Sequence, residues 1–455
     1  MRRATAGFLL VFILVCCAWA VNGELVELDG IKVLRVWGTP YERGFAHGFL
    51  MAEEIYDVAS NYMLPYAGAE GLAMGRLFAA LFFGIPDRFI EELQGIIDGV
   101  RAAGVSLYID ELGREADVLD LVVANSIADL SSFMCSSVSA WGDATQNSEL
   151  GGNLAIVRNL DWGGSPWADD GMALVKHSMV LVEIPESDEY QPFVSITFPG
   201  FIGCLSCFNE AGVGAFQNQG DYDPHLEDIS GTKEYLPINL AIREGIEARD
   251  YDGDSVQTVL DVLEAIEDNK RVGSYLIHVV QPYGGKDAAD PAIVVESHLA
   301  GAVVRYAFDD PDLGDYVLAV TNGHRKMFPP RYCWRYELVV EMVQDYDYEL
   351  DEERLWDIGE AISYDGRPYS FTYQTMIYIP HERTIGLAIT DEESLSSHKE
   401  PVMLTWDELL TGAGDDDDDT DDDAGDDDST DDDSAADDDS TGQDDTPSSS
   451  AACGC

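Results

Sequence analysis

Cys135 is the residue best placed to act as a nucleophile. In Met134-Cys135-Ser136-Ser137-Val138 a helical pattern ends and a strand-rich one begins. A thiol becomes reactive only as the thiolate, which needs a proton acceptor and nearby positive charge. Downstream, Arg158-Asn159-Leu160-Asp161 offers a cation and a carboxylate. Strict alternation sends Arg158 and Asp161 to opposite strand faces, so at least one is expected beyond a strand end. Taken alone, the two also describe a surface ion pair at a strand terminus. Three more polar residues stand at ends of patterned segments: Asn218 in Phe216-Gln-Asn-Gln-Gly220, Asn322 before Gly323, and Arg335 in Cys333-Trp-Arg-Tyr336. Asn322 reads equally as a turn former and Arg335 as a helix surface charge.

Other chemistries lack their parts. The chain has no Gly-x-Ser-x-Gly elbow, no His-Glu-x-x-His and no phosphate-binding Gly-Lys loop. Cys204 and Cys207 lie in a strand-like stretch, where three residues span roughly 10 Å, too far for a disulfide. They are expected to be small buried hydrophobes facing opposite ways, and Cys333, in a helical stretch, likewise. Asp250-Tyr-Asp252-Gly-Asp254 with Asp261 resembles a calcium loop, but its Gly is at the fourth position instead of the sixth. Asp254 is expected to cap the next helix, with Gln257 reaching back. No metal or cofactor is expected.

These residues must be held by long strands with helices arriving in blocks. Asp29-Gly30 predicts a hairpin between two strands within 24–37. Thr39, Pro40 and Glu42 predict a capped helix at once afterwards, in which Gly44 and Gly48 let a neighbour pack closely. Helices are expected at about 87–103 and 112–131. Strands follow near 135–141, 153–161, 172–184, 192–198, 201–208 and 213–218, then helices at about 235–248 and 255–267. Further strands fall near 274–281, 292–297, 301–307 and 317–321, a helix near 330–345, and a hairpin at 370–379 and 384–390. This order predicts layered α+β and excludes a doubly wound parallel sheet.

With Gly38-Thr-Pro-Tyr-Glu-Arg-Gly44, His47-Gly48, Cys135, Arg158-Asn-Leu-Asp161, Asn209-Glu-Ala-Gly-Val213, Asn218, Val320-Thr-Asn322-Gly323 and Arg335 in this order, the sequence resembles the N-terminal nucleophile (Ntn) hydrolases. The branch is that of the acyl-coenzyme A:6-aminopenicillanic acid acyltransferases, with choloylglycine hydrolases and acid ceramidase as relatives. The resemblance covers most of residues 32–390. It implies a four-layer αββα sandwich with a helical N-terminal segment, and a precursor that cuts itself between Met134 and Cys135. It also implies that the freed α-amino group, with a reference pKa of about 7.7–8.0, takes the thiol proton. Arg158 would then favour the thiolate, Asp161 orient the amine, Asn218 donate to the oxyanion, and Asn322 and Arg335 help hold the nucleophile's amino group. The segment 142–157 is longer than the family pattern and is expected to lengthen a hairpin. Asn209 and the opposite-facing Gln217 and Gln219 are not assigned to the chemistry.

The implied activity is hydrolysis or transfer of an acyl group from a linear amide through a thioester on Cys135. The partner is a small-molecule acyl-amide substrate. A phospholipase B-like esterase with the same nucleophile and a catalytically silent surface-binding domain are the alternatives. Residues 77–85, Leu-Phe-Ala-Ala-Leu-Phe-Phe-Gly-Ile, read as a buried helix or as a peripheral lipid contact.

The domain plan is a signal peptide over 1–20, a helical segment over 21–134, the nucleophile-bearing chain over 135–410 and an acidic tail over 411–455. Met-Arg-Arg, an apolar run from Gly7 to Cys17 and Ala18-Trp-Ala20 predict export through the secretory pathway to an extracellular, periplasmic or cell-surface location. Cys16 and Cys17 leave a lipoprotein signal as the alternative. The tail holds 19 Asp and ends in Cys453-Gly-Cys455; it reads as a disordered spacer, the alternatives being loose calcium binding and surface sorting. The 455 residues carry 86 acidic and 26 basic side chains, net −60. Without the tail's aspartates the net is still −41, which excludes nucleic acid as a partner.

Overall fold

Asp29 and Gly30 take positive φ, 46° and 86°, and join β1 (Gly23–Leu28) to β2 (Ile31–Gly38) as an antiparallel hairpin. Helix α1 (Pro40–Leu50) starts where expected, with Thr39 and Glu42 forming both halves of the capping box. Its glycines meet a matching pair on α4 (Asp87–Ala102). A Cβ on Gly44 would lie 1.9 Å from the Glu92 carbonyl oxygen, and one on Gly99 would lie 2.2 Å from that of Phe45. Only glycine lets these two helices approach so closely.

The computed structural model describes residues 21–130, 134–163, 169–221, 228–286, 289–364 and 370–411. The expected signal peptide and nearly all of the acidic tail lie outside the described residues. Between α1 and α4 run α2 (Ala52–Val58) and α3 (Leu64–Phe82). A short hairpin, β3 (Tyr108–Ile109) with β4 (Arg114–Glu115), then α5 (Val118–Asn125) and α6 (Ile127–Leu130), replace the single helix expected at 112–131.

β5 (Met134–Ala140) and β6 (Ala155–Gly163) form the lengthened hairpin. Helix α7 (Asp169–Val175) occupies the first part of the expected 172–184 strand, leaving β7 (Met179–Pro185). Next come β8 (Phe193–Thr197), β9 (Ser206–Asn209), β10 (Gly214–Gln219), α8 (Ile238–Glu247) and α9 (Val259–Asp268). After them come β11 (Tyr275–Val280), β12 (Ala292–His298), β13 (Gly301–Arg305) and β14 (Val317–Val320). Helices α10 (Trp334–Asp345) and α11 (Glu352–Ala361) precede β15 (Ser370–Ile379), β16 (Thr384–Ile389), β17 (Val402–Leu404) and α12 (Trp406–Leu410).

Two sheets result, in the orders β1-β2-β7-β8-β9-β10-β11-β12-β13 and β14-β5-β6-β15-β16-β17. Val194, Phe216 and Val294 of the first pack against Ile156, Leu318 and Leu387 of the second. On its other face the first sheet carries α8 and α9, with α1 and α4 over its N-terminal strands. The second carries α10 and α11 through Tyr336, Val339, Leu355 and Ile358. The layers are helix, sheet, sheet, helix, the α+β sandwich expected.

The first 100 or so described residues do not form a separable body. β2 pairs in parallel with β7, across the Met134-Cys135 junction in sequence. Beneath it Arg43 of α1 and Arg243 of α8, both buried, share the carboxylates of Glu92, Glu183 and Glu247 at 2.7–3.3 Å.

Candidate active site

Cys135 is the second residue of β5, fully buried, between β14 and β6. Ser137 and Ser139 share its strand face and both bond the His278 ring on β11 at 2.9 Å. Burial holds that imidazole neutral, with its pKa lowered to about 3, as one hydroxyl donating and one accepting requires. The Cys135 strand is thereby pinned to the facing sheet.

Arg158 lies on β6, on the face toward the first sheet. Its Nη2 is 3.7 Å from Cys135 Sγ and donates to the Gln217 and Leu205 carbonyl oxygens at 2.7 and 3.3 Å. Its Nε and Nη1 are buried without a partner, and among the described residues no carboxylate lies within ion-pair distance of it. Burial pushes the Cys135 thiol above its ordinary value, and the adjacent guanidinium works against that.

Asp161 reaches the site from the other side. The expectation that one of the pair lies beyond a strand end is wrong: β6 contains both, and alternation places them on opposite faces as it should. Asp161 Oδ2 accepts from Arg335 Nη1 at 2.7 Å and its Oδ1 accepts from Thr372 at 2.6 Å. Its backbone N–H is directed to the Cys135 sulfur. Arg335, fully buried near the start of α10, also donates to the Cys135 carbonyl oxygen at 3.2 Å and to Asn322 Oδ1. Asn322 Nδ2 donates to the Gln219 carbonyl at 2.7 Å. Burial raises the Asp161 carboxyl to about 6 against the pull of Arg335 and Thr372.

Asn218 is buried on the same face of β10 as Phe216, and its Nδ2 donates to the Phe216 and Leu276 carbonyls at 3.1 and 3.2 Å. To serve an oxyanion it must give up one of them. Gln217 points to the opposite face, as expected, where both of its amide atoms are buried without a partner. Asn209 is a turn residue: its Oδ1 accepts from Val213 N.

Thr372 was not foreseen, although it lies opposite Asp161 in the β6–β15 register and strand pairing would have exposed it. Tyr364, whose ring lies 4.5 Å from Arg335 Cζ, has no local sequence signal. The Cys204–Cys207 expectation is overturned, for the two form a disulfide with Cα atoms 5.6 Å apart. β9 begins only at Ser206, so Cys204 lies before the strand and not in it. Cys333, buried just before α10, is disulfide-bonded as well, so the expectation of a simple buried hydrophobe is overturned there too. Asp254 does not cap α9; Thr258 does, with Asp261 reaching back, while Gln257 donates to the Gly245 carbonyl. Asp250, Asp252 and Asp254 cluster on the loop before it.

An apolar cavity of about 100 Å³ adjoins the site. Val58, Tyr62 and Ile127 of the N-terminal segment face Trp162, Phe201 and Leu205 across it. On α3, Met74, Leu77 and Leu81 are 65%, 54% and 43% exposed, so the 77–85 stretch is not the fully buried helix of the first alternative. No described helix is long and apolar enough to cross a membrane.

No family model matches the chain. Protein dcd1A of Dictyostelium discoideum is 27% identical over 248 residues, 48% of this chain and 50% of that protein. An uncharacterized protein of Archaeoglobus fulgidus is 25% identical over 218 residues, 43% of this chain and 34% of the other. The chain thus spans half or less of the length of these curated relatives. Among solved structures, a Caenorhabditis elegans N-acylethanolamine-hydrolyzing acid amidase ortholog aligns at 14% identity and a TM-score of 0.39, over 59% of this chain and 100% of its own. Penicillin V acylase from Agrobacterium tumefaciens aligns at 12% and 0.36, over 60% and 88%.

Proposed function

We propose that the chain is an exported, self-cutting cysteine amidohydrolase or acyltransferase acting on linear acyl amides. The observation that carries this is the pairing of Cys135 Sγ with a buried guanidinium that meets no carboxylate among the described residues. A buried cation is costly unless an anion meets it, and a thiolate or an oxyanion on the attacked carbonyl is the anion available. In the first event the Cys135 sulfur attacks the Met134 carbonyl carbon. The Met134–Cys135 C–N bond breaks, its nitrogen gains a proton to become the α-amine, and water then releases Met134 as a carboxylate and restores the thiol. In turnover the α-amine takes the thiol proton and the thiolate attacks the substrate amide. The leaving amine departs with a proton, and water or a second amine resolves the thioester. Asn218, freed from one backbone carbonyl, stabilises the oxyanion, a contribution of about 3–4 kcal/mol. Arg335 ties the Cys135 carbonyl to Asp161 and Asn322, so that cutting does not release the new terminus.

The apolar cavity supports an aliphatic acyl chain as substrate, and the exposed Met74, Leu77 and Leu81 support contact with a lipid surface. With a net charge of −60 that surface is zwitterionic rather than anionic. The β2–β7 pairing and the shared buried charges support retention of the 21–134 segment after cutting.

The test is N-terminal sequencing and intact mass of purified protein beside Cys135→Ala, followed by hydrolysis of N-acyl amides and the matching esters of graded chain length. A wild-type fragment beginning at Cys135, absent from the variant, with amides cleaved, is expected. A folded, permanently uncut wild-type chain sinks the proposal in favour of a silent binding domain, and a strong preference for esters moves it to the esterase alternative.

A further inference from the structure

The segment between β8 and β9 is held from several directions. His47 Nε2 accepts from Gly200 N at 2.9 Å, and burial, with pKa lowered to about 3, keeps that imidazole neutral so that it can accept. Asn125 donates to the Gly200 carbonyl at 3.0 Å and accepts from Ile202 N at 2.7 Å and Gly203 N at 3.3 Å. Arg243 donates to the Ile202 carbonyl, and Cys204 N donates to that of Asn239. Between Cys204 and the start of the strand at Ser206 the chain is held only through one carbonyl. That gap holds Leu205, whose carbonyl accepts from both Gln217 N and the Arg158 guanidinium. The Cys204–Cys207 disulfide spans it.

Resting on the function proposed above, we infer that this disulfide is a positioning element for the nucleophile: it fixes the Leu205 carbonyl, which aims the Arg158 guanidinium at Cys135 Sγ. Neither sulfur touches the thiol chemistry. A four-residue ring leaves the enclosed peptide units little freedom, whereas the open dithiol lets the Leu205 carbonyl turn away. Arg158 then keeps one carbonyl, Gln217, and swings about it. The charged groups facing Cys135 are Arg158 from β6, Asp161 from the same strand, Arg335 from α10 and, after cutting, the α-amine of Cys135 itself; of these only Arg158 depends on Leu205. The bridge therefore alters the cation's aim without altering the net charge around the thiol.

The experiment measures the rate of Cys135 alkylation by iodoacetamide against pH, resolved by peptide mass spectrometry. It uses wild type, Cys204→Ser/Cys207→Ser, and wild type reduced with a phosphine. The phosphine becomes its oxide with oxygen from water as the disulfide gains two electrons and two protons. The expected result is an apparent Cys135 pKa about one unit higher without the bridge, so that alkylation below it slows about tenfold. If the double variant does not fold, Cys333→Ser compared before and after reduction decides, since Cys333 also forms a disulfide that the phosphine would open in the wild type. A role in stability alone would lower the melting temperature and leave the pH profile in place, and superposable profiles overturn the inference. An uncut wild-type chain overturns the function proposed above instead, and the same comparison of profiles on that precursor still decides the role of the bridge.

Discussion

Two sets of buried arginines sit on either side of the first sheet's plane and are treated in opposite ways. Arg43 and Arg243 face Glu92, Glu183 and Glu247, with Arg88 also on Glu247 at 2.5 Å and the Phe89 and Phe193 rings beside Arg243. Three guanidinium groups meet three carboxyl groups there, although burial pushes that of Glu183 up to about 8, and each half of the cluster comes from a different side of the Met134-Cys135 junction. Arg158 has carbonyl oxygens, a thiol and two idle nitrogens. Compensated burial joins parts, whereas under the proposed function the uncompensated Arg158 meets a charge that arises during the reaction. Arg335 stands between the two, paired with Asp161 but also bonded to the Cys135 carbonyl.

The largest effect that would test this contrast is expected in the paired cluster. Arg243→Met leaves three carboxylates facing Arg43 and Arg88, and should cost about 3–5 kcal/mol in urea unfolding, with the pH profile of Cys135 alkylation unmoved in the folded fraction. A loss below about 1 kcal/mol would mean the cluster does not lock the segments together. Arg158→Met should do the reverse: no carboxylate is orphaned, so stability shifts by less than about 1 kcal/mol, while amide cleavage at neutral pH slows about 10- to 100-fold. Equal loss of stability in the two variants would erase the distinction.

A smaller effect is set by pH. Asp161 has a folded pKa raised to about 6 against an ordinary value near 4, so the folded chain holds that proton more tightly than the unfolded one. Its contribution to stability is therefore greatest at low pH and declines as pH rises from about 4 to 6. Activity runs the other way, since protonation uncouples Arg335: cleavage should fall as pH drops through about 6, and Asp161→Asn should remove that limb along with most of the rate. An acid limb that persists in Asp161→Asn would place the titrating group elsewhere. The smallest effect is at Arg35, a buried arginine on the Leu409 and Glu408 carbonyls and on a partly exposed Glu24. Glu24→Gln should change stability by about 0–1 kcal/mol and activity not at all.

Much of this was legible locally. Asp29-Gly30, the Thr39 and Glu42 capping box, and the paired glycines of α1 act within one turn or one helix face, so residue order suffices to set them. The order of Cys135, Arg158, Asp161, Asn218, Asn322 and Arg335 could be read as a set, and the structure brings all but Asn218 into one chain of contacts through Cys135. Helices α7 and α11 and the disulfide were not legible. The 172–184 stretch alternates well enough for a strand, and Cys204 looks extended until the Cys204 N to Asn239 carbonyl bond turns the chain.

The sequence by itself determined which residues could do chemistry, where helices start, and that the sheets are long and layered. Tertiary structure alone decided that Arg335 is buried beside Cys135, 200 residues away in sequence, that Thr372 meets Asp161, and that Arg158 meets no carboxylate among the described residues. Capping and turn formation are settled by atoms a few bonds apart. Whether a buried charge is paired depends on the register between strands and on which helix covers them, and that is fixed only when the layers close.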